Sequence, residues 1–378
     1  MKLDADWLTS VGAQKVCGLL ADAGYQAWFV GGCVRNALIG APVADLDLST
    51  NALPDVVVRL ARDAGLQVIP TGIDHGTVTI LAENTSFEVT TFRKDVATDG
   101  RRAVVVFADT MAEDARRRDF TMNALYADAQ GEVVDPLGGL PDLEARLVRF
   151  IEDPDQRIKE DYLRILRFFR FYAWYGDASA GIDAYGLAAC AANVEGIQTL
   201  SKERIGQELL KLLAAPNPAP AVASFASCGG LIQVLPGANH GALAVLVHIE
   251  DNAGLDPDPL RRLAVLGGMD VQDNLRLSKA QGWRLDILRA GRSAIEVGYR
   301  HGAGIGVDLL AVEAASLGQD IDLNKIKLVK DAATKTCPLT AQDLMPMLQG
   351  PALGKTLKVA ESRWIASGFT LTKDDLLD

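Results

Sequence analysis

The spacing of apolar and polar residues changes along the chain and divides it into two regions. In residues 1–145, short alternating runs predict β-strands and longer runs with helical spacing predict helices between them. The predicted strands are 27–30, 45–49, 76–81, 87–93 and 104–107. The predicted helices are 7–23, 33–39, 56–64 and 116–126. The first region is therefore expected to have mixed α/β structure.

Strand patterns nearly disappear after about residue 140, and apolar residues then recur with the period of a helix. Glycine- and proline-containing stretches interrupt this pattern near residues 176–181, 214–220, 236–241 and 251–259, as expected for loops between helices. The sequence therefore predicts a small α/β domain followed by an all-helical remainder.

Composition restricts the class of protein without indicating a function. The 378 residues are 49% hydrophobic and 23% charged, which is typical of globular domains. The apolar runs are too short to span a bilayer, and the first residues do not have the pattern of a secretory signal. The five cysteines form no CxxC pair, which suits a reducing compartment. We expect a cytoplasmic protein without a membrane partner, and no protein partner is predicted.

The net charge of −11, taken alone, argues against nucleic acid as a partner, because phosphate binding usually leaves a basic footprint. Basic residues do cluster at 116–118 and within 157–170, although acidic residues are mixed into both stretches. Any contact with nucleic acid is therefore expected to be confined to a small surface.

Asp45 and Asp47 are the first candidate for a chemical site. Residues i and i+2 of a strand project from the same face, so the two carboxylates are expected to stand side by side. They repel each other unless a cation lies between them. Oxygen ligands of this kind suit Mg²⁺, whose coordination is usually completed by water and substrate phosphates. The alternative is an exposed strand edge with two solvated carboxylates.

Two further features accompany the aspartate pair. Gly31 and Gly32 form a turn that opens a helix, where backbone N–H groups favour phosphate, and Arg35 can add charge-assisted hydrogen bonds. Glu88 lies on a later predicted strand, on the face opposite Phe87. It is a candidate for a third carboxylate near the metals, and a solvated glutamate at a strand edge is the competing interpretation.

The segment 117–125 is a second candidate, with basic residues that lead into a predicted helix. We interpret Arg118 as a contact to a triphosphate. Asp119 and Asn123, one helical turn apart, can support each other and orient a ribose. A capped surface helix with ordinary salt bridges is the alternative.

The segment 160–170 supplies a third candidate. On a continuous helix, steps of three residues would bring Asp161, Arg164 and Arg167 into one group, with Arg170 further round. Cytosine and adenine each present an amino donor beside a ring-nitrogen acceptor. A carboxylate accepts from the amino group and a guanidinium donates to the ring nitrogen. Asp161 and Arg164 would therefore accept CTP and ATP and reject UTP and GTP; simple salt bridges on a surface helix are the alternative.

Together these motifs resemble the class II tRNA nucleotidyltransferases (CCA-adding enzymes) and the related bacterial poly(A) polymerases. The resemblance rests on their order along the chain: Gly31-Gly32-x-Val34-Arg35, Asp45-x-Asp47, Arg117-Arg118-Asp119-Phe120-Thr121-x-Asn123-Ala124 and Glu160-Asp161-x-x-Arg164-x-x-Arg167. It implies a polymerase β-like nucleotidyltransferase head at 1–145, a helical neck for base recognition at 146–215, and a helical body and tail for RNA binding at 216–378.

The resemblance also implies roles for individual residues. Asp45 and Asp47 would bind Mg²⁺, and Gly32, Arg35 and Arg118 would contact the nucleotide. The remaining members of the nucleotide site would be Asp119, Asn123, Asp161, Arg164, Arg167 and Arg170. Residues 93–102 resemble the family's flexible loop, which acts in the switch from C to A addition.

The implied function is template-independent addition of C, C and A to the 3′ end of tRNA from CTP and ATP, with release of pyrophosphate. Three alternatives stay open: a poly(A) polymerase, an enzyme that adds only C or only A, and a non-catalytic RNA-binding protein. The acidic and apolar segment 372–378 disfavours a poly(A) polymerase, because those relatives usually carry a long basic tail.

Overall fold

The computed structural model describes residues 1–69, 72–96, 104–345 and 347–377. The chain forms two compact units: Met1–Glu208 with Pro220–Gln233, and Leu209–Ala219 with Val234 onward. The first unit contains residues from both the predicted head and the predicted neck. The predicted division at 145 and 215 stays a prediction.

The first unit contains a seven-stranded mixed sheet and a separate two-stranded hairpin. The strands are β1 (Trp28–Val30), β2 (Leu46–Thr50), β3 (Gln67–Ile69), β4 (Thr77–Ala82), β5 (Thr85–Thr91), β6 (Arg93–Val96), β7 (Val104–Phe107), β8 (Tyr126–Ala127) and β9 (Val133–Val134). The order in the sheet is β3-β4-β5-β2-β1-β8-β9. Strands β2 and β5 are parallel, while the other neighbours in this sheet are antiparallel. The predicted α/β head is confirmed.

Helices make up most of the remaining chain, and strands β1–β9 all precede residue 135. The helices up to residue 234 are α1 (Val11–Asp22), α2 (Gly32–Leu38), α3 (Pro54–Asp63), α4 (Met111–Arg116), α5 (Leu140–Glu144), α6 (Pro154–Glu160), α7 (Leu163–Tyr175), α8 (Ala184–Ala192), α9 (Lys202–Leu213), α10 (Ala219–Ser227) and α11 (Gly230–Val234). Short 3₁₀ helices occur at Ile73–His75, Thr121–Asn123 and Val194–Thr199.

The helices of the second unit confirm the predicted all-helical remainder. They are α12 (Leu243–Ala253), α13 (Pro259–Leu266), α14 (Val271–Asn274), α15 (Lys279–Arg289), α16 (Ala294–His301), α17 (Ala303–Ser316), α18 (Leu323–Ala332), α19 (Ala341–Leu344), α20 (Gly350–Ala366) and α21 (Lys373–Leu377). Within the described ranges, no helix combines the length and the apolar character needed to cross a bilayer.

Local sequence explains where several elements begin. The Ser10 side chain accepts a hydrogen bond from the N–H of Ala13 and caps α1, and Ser278 with Gln281 forms a capping box on α15. Gly31 precedes α2 with φ +70°. A side chain at this position would be strained, so glycine permits the turn between β1 and α2.

Two predicted helices differ from the structure. The segment 116–126 is not one helix, because α4 ends at Arg116 and Phe120 is extended (φ −122°, ψ 148°). The fully buried Phe120 bridges to Phe150 and packs against its ring. This tertiary packing overrides the local preference for a helix.

The predicted helix over 160–170 is also interrupted. Helix α6 ends at Glu160, Asp161 is extended (φ −154°, ψ 104°), and α7 begins at Leu163. The Asp161 carboxylate accepts a hydrogen bond from the N–H of Leu163, which favours a break in the helix at this point.

The predicted loop at 93–102 is only partly described. Residues 93–96 form β6, which pairs with β7 in an antiparallel hairpin. The rest of the predicted loop, residues 97–102, lies outside the described residues.

Candidate active site

A cavity of about 580 Å³ in the first unit contains nearly all of the candidate residues. Its lining includes Gly32, Arg35, Asp45, Asp47, Arg118, Asp119, Asn123, Asp161, Arg164, Arg167 and Arg170, which the sequence singles out. It also includes Gly31 and Arg117, which belong to the predicted motifs, and Leu163, Phe171 and Arg204, which were not predicted from the sequence. Seven arginines and four aspartates line the cavity, so its wall is locally basic although the chain has a net charge of −11.

The carboxylates lie where β2 begins. Asp45 immediately precedes the strand and Asp47 is its second residue, while Leu46 and Leu48 are buried at 6% and 0% exposure. Asp47 lies opposite Glu88 in the parallel register of β2 and β5. Glu88 is exposed and is not among the residues that line the cavity.

The surroundings of Asp47 are unfavourable for a carboxylate without a cation. The pKa of Asp47 is raised to about 6, first by burial and then by the negative charges of Glu88 and Asp45, against a lowering influence from Arg118. Across the described residues, no group of three or more His, Cys, Asp or Glu side chains is arranged to hold a metal ion. Two carboxylates in the wall of one cavity fit a hard cation that takes its other ligands from water and from a substrate phosphate.

Arg117 and Arg118 are held by a buried carboxylate that the sequence analysis missed. Asp114 has 0% exposure and accepts hydrogen bonds from both arginines at 2.9 Å and from the Tyr126 hydroxyl at 2.9 Å. Burial alone would raise the pKa of Asp114, but the charges of Arg118 and Arg117 outweigh burial and lower it. The spacing of Asp114 from the two arginines, i to i+3 and i to i+4, is the signal that could have identified it.

Asp119 and Asn123 form one connected group, in agreement with their spacing. The Asp119 carboxylate accepts hydrogen bonds from Asn123 Nδ2 at 2.8 Å, from the N–H of Phe120 at 2.9 Å and from Arg167 Nε at 2.7 Å. Burial would raise the pKa of Asp119, but Arg167 and Asn123 bring it to about 2. This group joins the segment after α4 to α7.

Asp161 and Arg164 line the same cavity but do not pair with each other. The Asp161 carboxylate binds Arg204 at 2.7 Å, whereas Arg164 donates to Glu160 at 2.6 Å and to the carbonyl oxygens of Arg157 and Arg117 at 2.9 and 3.0 Å. The prediction that Asp161, Arg164 and Arg167 form one group on a single helix is therefore wrong, because the chain is extended at Asp161. Arg164 and Arg167 reach the cavity from α7, whereas Asp161 reaches it from the extended position before that helix.

A larger cavity, of about 860 Å³, lies in the second unit and contains none of the motif residues. Arg289 lines it and donates to the carbonyl oxygen of Leu263 at 2.9 Å and to that of Gly267. These carbonyls lie at the end of α13, so Arg289 caps that helix. We therefore assign Arg289 a structural role.

Comparison with known families agrees with this geometry. A family model described as "Poly A polymerase head domain" matches residues 27–149, which include the aspartate pair and the arginine motif. A second, described as "Probable RNA and SrmB- binding site of polymerase A", matches residues 182–241.

Two similar proteins carry names that describe CCA addition. A "CCA-adding enzyme" of Geobacillus thermodenitrificans is 42% identical over 216 residues, which are 57% of this chain and 52% of that protein. The "CCA tRNA nucleotidyltransferase 1, mitochondrial" of Mus musculus is 31% identical over 408 residues, covering 100% of this chain and 92% of that protein. The match thus spans about half of the bacterial relative and nearly all of the mouse relative.

The fold is that of solved CCA-adding enzymes. The crystal structure of the Bacillus stearothermophilus CCA-adding enzyme in complex with CTP aligns with a TM-score of 0.72 at 24% identity, covering 94% of this chain and 92% of that one. An apo form of a CCA-adding enzyme aligns with a TM-score of 0.72 at 18% identity, over 100% and 95% of the two chains. Together with the mouse relative, these findings show that the chain belongs to the family of CCA-adding enzymes and poly(A) polymerases, which are RNA nucleotidyltransferases.

Proposed function

We propose that this chain adds C, C and A to the 3′ end of tRNA from CTP and ATP and releases pyrophosphate. The observation that carries the proposal is the single cavity in which the Asp45–Asp47 pair, a set of arginines and the Asp161–Arg164 base site occur together. Its volume of about 580 Å³ is in the range of small-molecule sites. Related enzymes have been solved with CTP, with ATP and with tRNA, which supports the choice of substrates.

We propose Mg²⁺ as the cofactor, held by Asp45 and Asp47. The two carboxylates line the same cavity at the start of β2, and Asp47 is a partly buried carboxylate with a raised pKa beside two further negative charges, Glu88 and Asp45, which a divalent cation would help to neutralise. A divalent cation held by these carboxylates would supply Lewis-acid stabilisation of the charge on the hydroxyl and phosphate oxygens. Glu88, which lies opposite Asp47 in the register of β2 and β5, is proposed as a third carboxylate near the metal site.

The remaining residues of the cavity wall are assigned roles in binding and positioning the nucleotide. Gly32, Arg35 and Arg118 are proposed to contact the triphosphate, and the hydrogen-bonded pair Asp119 and Asn123 to orient the ribose. Asp114 acts only through Arg117 and Arg118, so we treat it as a positioning residue. In this account the chain positions and stabilises the reacting groups, and no covalent enzyme intermediate is needed.

Selection of C and A is proposed to come from Asp161 and Arg164, with Arg167 and Arg170 completing the nucleotide site. The guanidinium has five N–H donors, and the three hydrogen bonds of Arg164 leave donors for the ring nitrogen of a base. The Asp161 carboxylate likewise has more acceptor sites than its bonds to Leu163 and Arg204 occupy. UTP and GTP would leave these groups unpaired.

We also propose a cytoplasmic location. The five cysteines, Cys17, Cys33, Cys190, Cys228 and Cys337, are free, which suits a reducing compartment.

One assay tests the proposed function. Purified protein is incubated with Mg²⁺, with a tRNA that lacks its last three nucleotides, and with each nucleoside triphosphate alone and then all four together, and the 3′ ends are sequenced. Addition of C-C-A followed by arrest supports the proposal. An A tract, addition of only C or only A, or an unextended tRNA would instead identify a poly(A) polymerase, a partial enzyme or a non-catalytic RNA-binding protein.

The metal assignment has its own control. Asp45→Ala is expected to abolish incorporation while tRNA is still bound. Asp63→Ala, which removes an exposed carboxylate outside the cavity, is expected to leave incorporation unchanged. Activity of the Asp45 variant at saturating Mg²⁺ would contradict the assignment.

A further inference from the structure

The arginines of the cavity differ in how their charge is balanced. Six of them contact a carboxylate within salt-bridge distance: Arg117, Arg118, Arg164, Arg167, Arg170 and Arg204. Arg35 is the exception. Among the residues that the structure describes, no carboxylate lies within salt-bridge distance of its guanidinium, and its side chain is 5% exposed.

The hydrogen-bond partners of Arg35 are all neutral. Its guanidinium donates to Asn36 Oδ1 at 3.1 and 2.8 Å, to Asn123 Oδ1, and to the hydroxyl of Tyr175 at 2.8 Å. These bonds fix the orientation of the group without neutralising it. Burial lowers the pKa of Arg35, against a smaller raising influence from the charge of Asp119. A buried cation that no carboxylate contacts directly is unfavourable, so this position favours a bound anion.

Two aromatic rings of α7 support the same guanidinium. The central carbon of the Arg35 guanidinium lies 3.9 Å from the centroid of the Tyr175 ring and 5.1 Å from that of Phe171. The two rings are one helical turn apart, with centroids separated by 5.3 Å. Phe171 is among the residues that line the cavity, and Tyr175 is not. Stacking of this kind orients a guanidinium and leaves its charge intact.

We propose that Tyr175 is a positioning residue for nucleotide binding, because its ring and hydroxyl hold Arg35 at the cavity wall, where this guanidinium can bind the triphosphate of either CTP or ATP. The proposal rests on the proposed function in that the anion is the triphosphate of these nucleotides. Tyr175 acts through Arg35 on the phosphate group that CTP and ATP share. Its removal should therefore weaken the binding of both nucleotides equally and should not change the choice of base.

The separate contributions of the ring and the hydroxyl predict a graded series. Tyr175→Phe removes one hydrogen bond to a charged donor and should raise the Kd of CTP and of ATP about fivefold. Tyr175→Ala also removes the stacked ring and should raise both values about thirtyfold. Inorganic triphosphate should lose affinity by the same factors, whereas cytidine, which has no phosphate, should bind each variant as it binds the unaltered protein.

The test is equilibrium titration of the full chain with CTP, ATP, inorganic triphosphate and cytidine, at fixed Mg²⁺ and without tRNA. Tyr172→Phe is the matched control. This substitution removes a hydroxyl from the same helix at a residue outside the cavity lining. The affinities of the variant for all four ligands should therefore equal those of the unaltered protein. A thermal unfolding curve for each variant confirms that it is folded.

Two results would overturn the inference. The first is an unchanged affinity of Tyr175→Phe and Tyr175→Ala for inorganic triphosphate. The second is an equal loss of affinity for cytidine, which would indicate a general disturbance of the cavity. Failure of the proposed function is seen separately, as unaltered protein that binds triphosphate but does not extend tRNA.

Discussion

The buried carboxylate of Asp119 should contribute to stability in a way that depends on pH. Asp119 is 7% exposed, and its pKa falls from 3.8 to about 2 in the folded protein, chiefly because Arg167 and Asn123 outweigh the effect of burial. A depression of this size corresponds to about 2 kcal/mol of folding free energy. We therefore expect Asp119→Asn to destabilise the first unit by about 2 kcal/mol at pH 7.

The sign of the pH dependence follows from the direction of the pKa shift. Because the folded pKa is the lower one, the stabilisation is fully present above the unfolded value of 3.8 and is lost as the pH falls towards about 2. About half of it should remain at pH 3.

Calorimetry of the unaltered protein and of Asp119→Asn at pH 7 and pH 3 measures this effect. For a unit of this size, the expected lowering of Tm at pH 7 is roughly 4 to 8 °C, and it should shrink at pH 3. Asp63→Asn, at an exposed position of α3, is the control and should leave Tm unchanged. An equal lowering of Tm by Asp119→Asn at both pH values would refute the account.

Three further predictions concern individual residues. Glu88→Gln should raise the Mg²⁺ concentration for half-maximal incorporation about tenfold, and an unchanged requirement would exclude Glu88 from the metal site. Arg204→Ala removes the partly exposed ion pair that Arg204 forms with Asp161 at 2.7 Å. This variant should raise misincorporation of UTP about fivefold. An unaltered ratio of UTP incorporation to CTP incorporation would contradict a role for Arg204 in holding Asp161. Burial raises the pKa of Cys33 to about 11, so iodoacetamide at pH 8 should leave it unmodified in the folded protein, and alkylation detected by mass spectrometry at the rate of a free thiol would contradict it.

The short-range features of the site could be predicted from the sequence. The alternation around Asp45 and Asp47 indicates a strand with Leu46 and Leu48 in the core, and both leucines are buried. The observed strand begins at Leu46, one residue later than predicted. Patterns of period two and of helical period depend on neighbouring residues, so they are readable without tertiary information.

The features that were mispredicted, or not predicted at all, depend on contacts between residues that are distant in the sequence. Phe120 is extended because it packs against Phe150, which the local pattern does not contain. Arg204 approaches Asp161 from 43 positions away, and Tyr175 approaches Arg35 from 140 positions away. No spacing rule brings such residues together, and only the packed structure reveals them.

Base selection is the most direct test of the account. Single-nucleotide incorporation into a truncated tRNA gives kcat/KM for CTP, ATP, UTP and GTP, for the unaltered protein and for the double variant Asp161→Ala with Arg164→Ala. We predict that the unaltered protein strongly prefers CTP and ATP and that the double variant loses this preference more than it loses turnover. A double variant that still rejects UTP and GTP would contradict the claim that these two side chains select C and A.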